Sequence, residues 1–243
     1  MKKRTLVVGD IHGAYKALRQ VLDRAGLRTD DTLVFLGDYV DGWSESREVI
    51  TYLLELAEKQ PCIFIRGNHD TWCENWLTTG ELSDTWLLHG GALTVQGYVA
   101  VSPEEKEKHL AFFSRMQHYH IDAQNRLFIH AGFSSMHGPA HEVYTSNYSW
   151  DRTLWETALA TDKQLNRDSP LYPRRLKHFA EIYIGHTPTT NYGTELPMNG
   201  MNVWDLDTGA AFTGKLSVLD IDSKEFWQSD TVQSLYPGER GRN

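Results

Sequence analysis

The feature that most constrains the fold is a pattern that occurs five times. Each copy is a short apolar run, then a glycine or small residue, then a polar residue able to hold a metal. Such runs of about four large apolar residues are typical of strands buried on both faces of a sheet. Because open α/β sheets place their ligands just beyond the carboxyl ends of such strands, the pattern predicts an α/β fold with five strand ends at one crevice. The segments are 6–13, 34–38, 63–70, 127–132 and 182–187.

Six polar side chains follow these runs and would face the predicted crevice. Asp10 and His12 are two residues apart, so they point the same way if the chain is extended and can chelate one ion. Asp38 follows Gly37 at a strand end, where a carboxylate can bridge two cations. Oxygen and imidazole ligands without cysteine favour Mn²⁺, Fe²⁺ or Zn²⁺ over Ca²⁺ or a structural zinc site. The candidate ligands are Asp10, His12, Asp38, Asn68, His130 and His186.

Each candidate alone has a more ordinary explanation. Gly37-Asp38 could be a turn, Asn68 could cap a helix, and His130 or His186 could be a core histidine with its hydrogen bonds satisfied. Their joint occurrence at strand ends, in the order that a dinuclear centre needs, outweighs these explanations.

Length and charge bound the class of protein. The 243 residues are expected to form a single domain, 1–243, and the net charge of −8 argues against stable binding to nucleic acid or to an anionic membrane. The first apolar run is broken by Gly9 and Asp10, so no signal peptide is predicted, and we expect a cytoplasmic enzyme. The two cysteines, Cys62 and Cys73, are expected to be reduced thiols. The oligomeric state stays open.

Local patterns predict the order of the elements. Strands at about 4–9, 32–37 and 62–66 alternate with helices over the first 80 residues, which indicates βαβ units and a parallel sheet. Further on, we expect a helix over 103–116, a hairpin over 118–130 and loop or cap elements over 133–180. Short runs in the last third suggest antiparallel strands, and the segment 237–243 is expected to be frayed.

The motifs also resemble a known family. Gly9-Asp10-Ile11-His12-Gly13, Gly37-Asp38-Tyr39-Val40-Asp41-Gly42, Arg66-Gly67-Asn68-His69-Asp70, His130-Ala131-Gly132 and Gly185-His186-Thr187 resemble the motif series of the PPP-type metallophosphoesterases. These are the serine/threonine protein phosphatases and their bacterial relatives, which include diadenosine tetraphosphatases. The resemblance implies a calcineurin-like α/β sandwich of two mixed β-sheets flanked by helices.

The resemblance also implies a ligand set and a reaction. Asp10, His12 and Asp38 would hold one ion, and Asp38 with the remaining candidates would hold the second. The cofactors would be two divalent metal ions, with manganese the first choice and iron or zinc the alternatives. A hydroxide shared by the two ions would attack phosphorus.

Three further roles follow the ligands. His69 lies next to Asn68 and is available as general acid, with Asp41 orienting its ring. Arg66 and Arg152 are the candidate phosphate-binding residues, since a guanidinium fork suits phosphate. The alternatives are a turn cap for Asp41, a surface arginine for Arg66 and a simple salt bridge for Arg152.

One departure from the family concerns Gly42-Trp43, where many protein phosphatases have Arg-Gly. A phosphate-binding arginine is therefore missing at this place. We expect that Arg152 or another residue compensates, and that Trp43 borders the substrate mouth, where its indole could stack on an aromatic leaving group.

Three functions are open at this point. The leading prediction is a Ser/Thr-type phosphoprotein phosphatase. The alternative is a bis(5'-nucleosyl)-tetraphosphatase acting on dinucleoside polyphosphates, and the third is an inactive scaffold that binds phosphorylated partners. Release of inorganic phosphate from a phosphopeptide, as against nucleoside diphosphate from a dinucleotide, would separate the first two.

Overall fold

Two five-stranded mixed β-sheets form the centre of the molecule. The computed structural model describes residues 3–242. The first sheet has the order β10-β9-β1-β2-β3 and the second the order β4-β5-β6-β8-β7. The strands are β1 Thr5–Val8, β2 Thr32–Phe35, β3 Cys62–Phe64, β4 Tyr119–Ile121, β5 Arg126–Ile129, β6 Glu181–Ile184, β7 Met198–Gly200, β8 Val203–Asp205, β9 Ser217–Asp220 and β10 Phe226–Gln228.

The helices lie outside the sheets. Ten α-helical segments are described, together with a π-helical turn at Leu87–Gly91 and 3₁₀ turns at Pro139–His141 and Thr189–Tyr192. They are α1 Tyr15–Arg24, α2 Ser46–Ala57, α3 Asn68–Thr79, α4 Asp84–Trp86, α5 Ala92–Gly97, α6 Pro103–Ser114, α7 Asn147–Trp150, α8 Thr153–Ala160, α9 Arg174–Lys177 and α10 Val232–Leu235.

The first sheet contains the predicted parallel βαβ units. β1 pairs in parallel with β2, and β2 in parallel with β3, while β9 and β10 add antiparallel strands beside β1. The helix α1 forms because its apolar residues recur at helical spacing, and its face of Ala17, Leu18, Val21 and Leu22 is buried. The prediction of a parallel sheet in this half is confirmed.

The second sheet corrects one prediction. β6 pairs in parallel with both β5 and β8, whereas the sequence suggested antiparallel strands here. Only β4 and β7, at the two edges, are antiparallel to their neighbours. The physical reason is the connection: a parallel return needs a long crossover, and residues 130–180 provide one between β5 and β6.

Apolar side chains between the sheets hold them face to face. Val7, Val34 and Leu219 of the first sheet pack with Phe128 and Tyr183 of the second, and all five are almost completely buried. Helices cover the outer face of the first sheet in a second cluster. The expected sandwich of two mixed sheets flanked by helices is therefore confirmed.

The segment 133–180 contributes to the core, which differs from the prediction of loops and cap elements. Phe133, Leu154, Trp155 and Leu176 are fully buried, and they pack on the outer face of the second sheet. The sequence gives little helical periodicity here because the helices are short and irregularly spaced. No helix of residues 3–242 is long and apolar enough to cross a membrane.

Candidate metal centre and active-site cavity

The carboxyl ends of five strands bring the six predicted ligands together. Asp10 follows β1, Asp38 follows β2, and Asn68 begins α3 just beyond β3. His130 follows β5 and His186 follows β6. All six side chains are at least nine-tenths buried. The two sheets therefore present their polar strand ends to one place.

Distances divide the cluster into two halves that share Asp38. Its Oδ2 lies 3.5 Å from His12 Nε2 and 3.4 Å from His130 Nε2. On one side, His12 Nε2 is 3.9 Å from Asp10 Oδ2, and on the other, His130 Nε2 is 3.2 Å from Asn68 Oδ1. Asp38 is thus placed where one carboxylate could contact two ions.

Backbone carbonyls fix which histidine nitrogens face the centre. His12 Nδ1 is 3.2 Å from the Val40 carbonyl, and His130 Nδ1 is 2.8 Å from the Leu36 carbonyl. Since a carbonyl can only accept, Nδ1 carries the proton in each ring. In the neutral ring, Nε2 then carries the lone pair toward Asp38, which is the arrangement a metal ligand needs. Asp38 raises the pKa of His130, so at that residue a cation would bind by displacing the Nε2 proton.

The backbone is strained at four site residues. His12, Asp38, Asp41 and His186 have φ angles of 51°, 54°, 73° and 69°, in the left-handed region that side chains other than glycine rarely occupy. Such conformations persist where the surrounding fold imposes them, and they concentrate at functional sites. The loops after β1, β2 and β6 are therefore shaped for the site at a cost in local conformational energy.

Two glycines leave room for the carboxylates. A Cβ on Gly67 would lie 2.0 Å from Asp38 Oδ1, and a Cβ on Gly185 would lie 2.0 Å from Asp10 Oδ1. No side chain fits at such distances. This explains why glycine precedes the polar residue in these two motifs.

Unpartnered buried atoms fit a cation. Among the described residues, Asp10 Oδ1 and His186 Nε2 are buried without a hydrogen-bond partner. Burial lowers the pKa of His12 and of His186 well below the usual range, so both rings are neutral and can donate a lone pair. Uncompensated buried groups of this kind are costly unless an ion satisfies them.

The clustered carboxylates are further support for a cation site. Burial, together with repulsion from Asp207 and Asp38, raises the pKa of Asp10 well above its usual range. Burial also raises the pKa of Asp207 to about 6 and that of Asp205 well above normal. Asp38 differs: burial would raise its pKa, but the charge and hydrogen bond of His130, whose own pKa Asp38 raises, outweigh burial and hold the pKa of Asp38 well below the usual value. Carboxylates this close in a buried site favour a bound cation.

Asp70 organises the loops under the centre. Its carboxylate accepts hydrogen bonds from the backbone N–H groups of Asp38, Tyr39 and Gly67, at 2.8, 2.9 and 2.8 Å. It thereby joins the end of β2 to the start of α3. The motif analysis assigned Asp70 no role, although its position in the first turn of α3 is a signal for capping.

His69 and Asp41 form the predicted pair. His69 Nδ1 lies 2.6 Å from Asp41 Oδ2, and the Asp41 carboxylate also accepts from Trp86 Nε1 at 2.6 Å and Thr94 Oγ1 at 2.7 Å. Burial raises the pKa of Asp41 to about 7 and lowers that of His69 to about 3. With Nδ1 fixed, the opposite side of the ring is free to face the cavity.

The cluster opens into a cavity of about 320 Å³. Trp72 and Trp150 line it, with ring centroids 5.4 Å apart, and Trp150 is 42% exposed. Arg152, a predicted phosphate-binding residue, also lines the cavity. So does Arg242, which the sequence analysis did not single out. The cavity therefore combines two indoles, two guanidinium groups and the ligand cluster.

Two other predicted residues lie elsewhere. Arg66 does not line this cavity; its guanidinium pairs with Glu74 and donates to the Phe113 carbonyl. Trp43 is fully buried rather than at the substrate mouth, which makes that expectation wrong. Its indole N–H donates to the Ala210 carbonyl at 2.7 Å, so it belongs to the core.

Sequence reasoning also missed the aromatic wall. Trp72 lies three residues after His69 on α3, a spacing that places both on one helix face, so this signal was present. Trp150 precedes Arg152 in the segment that the sequence placed among loops. Arg242 had no local signal, because nothing in the pattern of 237–243 links it to a strand end.

Comparisons with known proteins place the chain in a family. Residues 3–211 match the calcineurin-like phosphoesterase family. One relative, the asymmetrical bis(5'-nucleosyl)-tetraphosphatase PrpE of Oceanobacillus iheyensis, is 24% identical over 234 residues, covering 90% of this chain and 89% of the relative.

Two solved structures share the fold. A protein described as a diadenosine tetraphosphatase superposes with a TM-score of 0.64 at 18% identity, covering 93% of this chain and 92% of its own. A protein serine/threonine phosphatase from Saccharomyces cerevisiae superposes with a TM-score of 0.63 at 15% identity, covering 99% of this chain and 83% of its own.

The family implies divalent metal ions, and two groups of described residues could hold them: His12, Asp38 and His69, and Asp38, His130 and His186. The strand-end ligands, the sandwich fold and the match over most of the length agree. This chain belongs to the calcineurin-like metallophosphoesterases and is a hydrolase of phosphoric ester bonds.

Proposed function

We propose that this enzyme hydrolyses dinucleoside tetraphosphates, and that it splits them unequally into a nucleoside triphosphate and a nucleoside monophosphate. The observation that carries the proposal is the cavity wall, where Trp72 and Trp150 lie beside Arg152 and Arg242. Indoles suit nucleobases and guanidinium groups suit a polyphosphate. The PrpE relatives, which have this activity in their name, favour it over the phosphoprotein phosphatase that the sequence put first.

The size of the cavity is compatible with part of such a substrate. A volume of about 320 Å³ lies at the small end of ligand sites, which span roughly 300–1,000 Å³. One nucleoside and the phosphates next to it would occupy the cavity, and the second nucleoside would lie over its rim. The exposed face of Trp150 is available for stacking at that rim.

The six strand-end residues would hold two divalent cations, which would lower the pKa of water and neutralise phosphate oxygens. Asp38 would contact both ions, since its Oδ2 lies between His12 and His130. His69 would donate its Nε2 proton to the leaving oxygen while Nδ1 takes the proton of Asp41, a carboxyl whose pKa is raised to about 7 and which also orients the ring. Manganese is the first metal to supply in an assay, with iron and zinc as alternatives.

The product distribution tests the reaction. A dinucleoside tetraphosphate is incubated with the enzyme and Mn²⁺, and the nucleotides are separated by ion-exchange chromatography. Equal amounts of nucleoside triphosphate and monophosphate are expected. Nucleoside diphosphate alone would show a symmetrical reaction, and faster release of phosphate from a phosphoserine peptide would favour the phosphoprotein phosphatase; either result contradicts the proposal.

The aromatic wall is tested by inhibition. In W150A, the inhibition constant of a nucleoside triphosphate should rise about 5- to 150-fold, because base–aromatic stacking contributes roughly 1–3 kcal/mol. Inhibition by tripolyphosphate, which has no base, should be unchanged. W227A is the matched control, since Trp227 is a partly buried indole on β10 that does not line the cavity. If W150A binds the nucleoside triphosphate and tripolyphosphate more weakly by the same factor, stacking of the base on Trp150 is contradicted.

A further inference from the structure

The Arg242 side chain fills the space beside Gly42. At the position of Gly42, many protein phosphatases of the family that the motifs resemble have an arginine. A Cβ on Gly42 would lie 3.3 Å from Arg242 Cγ, and a Cβ on Gly90 would lie 3.1 Å from the same atom. Both glycines have positive φ angles, 101° and 103°. The stem of Arg242 therefore runs between two backbones that come close because neither has a side chain.

Trp43, the second residue of the Gly42-Trp43 pair, holds the chain segment that carries Arg242. Trp43 stacks on Tyr236, with ring centroids 5.2 Å apart. A Cβ on Gly241 would lie 2.7 Å from Trp43 Cζ2, so this residue packs directly on the indole. The Arg242 N–H donates to the Ala211 carbonyl at 2.8 Å. Gly42 thus makes room for the arginine while Trp43 holds its backbone, and the segment is ordered through Arg242 rather than frayed as predicted.

The guanidinium of Arg242 lies beside the cavity and has no close counter-ion among the described residues, although the Asp41 and Asp207 carboxylates attract it from farther away. Within residues 3–242 it has no ion pair, and its Nε is buried without a hydrogen-bond partner. Its nearest aromatic contact is Phe212, with the guanidinium carbon 5.3 Å from the ring centroid. A half-buried guanidinium without an ion pair beside a cavity can bind an anion there through its free N–H groups.

We propose that Arg242 binds a non-bridging oxygen of the substrate phosphate, replacing the arginine that is absent at Gly42. Arg152 lines the same cavity, so two guanidinium groups are available to one phosphate chain. The inference goes beyond the proposed dinucleotide activity. It holds for any phosphate ester that this hydrolase accepts.

The test uses inorganic phosphate and p-nitrophenyl phosphate, neither of which contains a nucleoside. In R242A, the inhibition constant of phosphate and the KM of the ester should rise on the order of 10- to 100-fold, as expected for one lost charge-assisted hydrogen bond. R242K should recover only part of the lost phosphate affinity, because an ammonium group lacks the planar fork of N–H donors that a guanidinium presents. R240A, which removes an exposed arginine two residues away, should stay within about twofold of wild type.

Two measurements separate binding from a structural effect. Metal content and melting temperature of R242A should match the wild type, and free guanidinium ions should restore part of the activity of R242A but not raise that of the wild type. Unchanged phosphate inhibition in R242A, or a loss that guanidinium does not restore, overturns the inference. If the wild type hydrolyses p-nitrophenyl phosphate but not dinucleoside tetraphosphates, only the proposed substrate is overturned, and the inference about Arg242 stands.

Discussion

Asp31 allows a quantitative test of what stabilises the fold at the end of the sheet opposite the metal site. It immediately precedes β2, and its carboxylate is fully buried. Arg4 donates to it from Nη2 at 2.6 Å, and Arg28 donates from its backbone N–H at 2.9 Å and from Nη2 at 3.0 Å. These contacts join β1 to the loop that precedes β2. The substitution D31N keeps the size of the side chain and removes its charge.

The magnitude follows from the pKa of Asp31. Burial alone would raise it, but the hydrogen bonds from Arg4 and Arg28 outweigh burial and lower the pKa from 3.8 to about 2. Because each unit of pKa difference corresponds to about 1.36 kcal/mol, the ionised carboxylate stabilises the fold by about 2 kcal/mol. Since the folded pKa is depressed, this stability is complete above the unfolded pKa and is lost as the pH falls toward 2.

The assay is urea unfolding of metal-free wild type and D31N at a series of pH values. The difference in unfolding free energy should be at least about 2 kcal/mol at pH 7 and should shrink as the pH falls from about 4 toward about 2. D30N is the control, because Asp30 is 56% exposed and 3.6 Å from Arg28 Nε; it should change stability by less than about 0.5 kcal/mol. A difference that is the same at pH 3 and pH 7 would refute the reasoning.

Four further predictions concern the site. D38N should lose turnover by several orders of magnitude with an unchanged circular dichroism spectrum, and an active D38N would contradict the placement of Asp38 between two ions. Manganese at 100 times its Kd should stabilise the folded protein by about 2.7 kcal/mol, which is measured as a higher melting temperature. Elemental analysis should find two ions per chain. An unchanged melting temperature, or a single ion per chain, would contradict the dinuclear centre. G185A should lose metal binding because its Cβ would lie 2.0 Å from Asp10 Oδ1, whereas G97A, with 3.6 Å to its nearest contact, should not. D41N should slow phenyl phosphate, a poor leaving group, by about 100-fold and p-nitrophenyl phosphate much less; equal effects would argue against proton donation by the pair.

The strand ends and their polar residues were predictable because the relevant physics is local. A short apolar run followed by glycine marks a buried strand and the tight turn after it, as at Ile184-Gly185-His186. The carboxyl ends of parallel strands meet at one edge whatever their order in the sheet. This is why six candidate ligands could be named without a structure, and why the structure brings them together.

The direction of β6 was not predictable in the same way. Its run, Glu181–Ile184, has the same apolar character whether it pairs in parallel or antiparallel. The choice depended on the crossover through 133–180, whose short helices show little periodicity. Phe133, Trp155 and Leu176 in that segment became core residues only because the second sheet offered an outer face to cover.

The sequence by itself determined that residues able to hold a metal follow buried strands, since each such motif is complete within a few neighbouring residues. Tertiary structure alone decided which residues complete the cavity around them. Trp43 lies in the core and Arg242 at the cavity because the contact between Gly42 and Arg242, 200 positions apart, depends on how distant segments pack, which no local pattern records. The candidate ligand set is therefore a property of the motifs, and the aromatic and cationic cavity wall is a property of the fold.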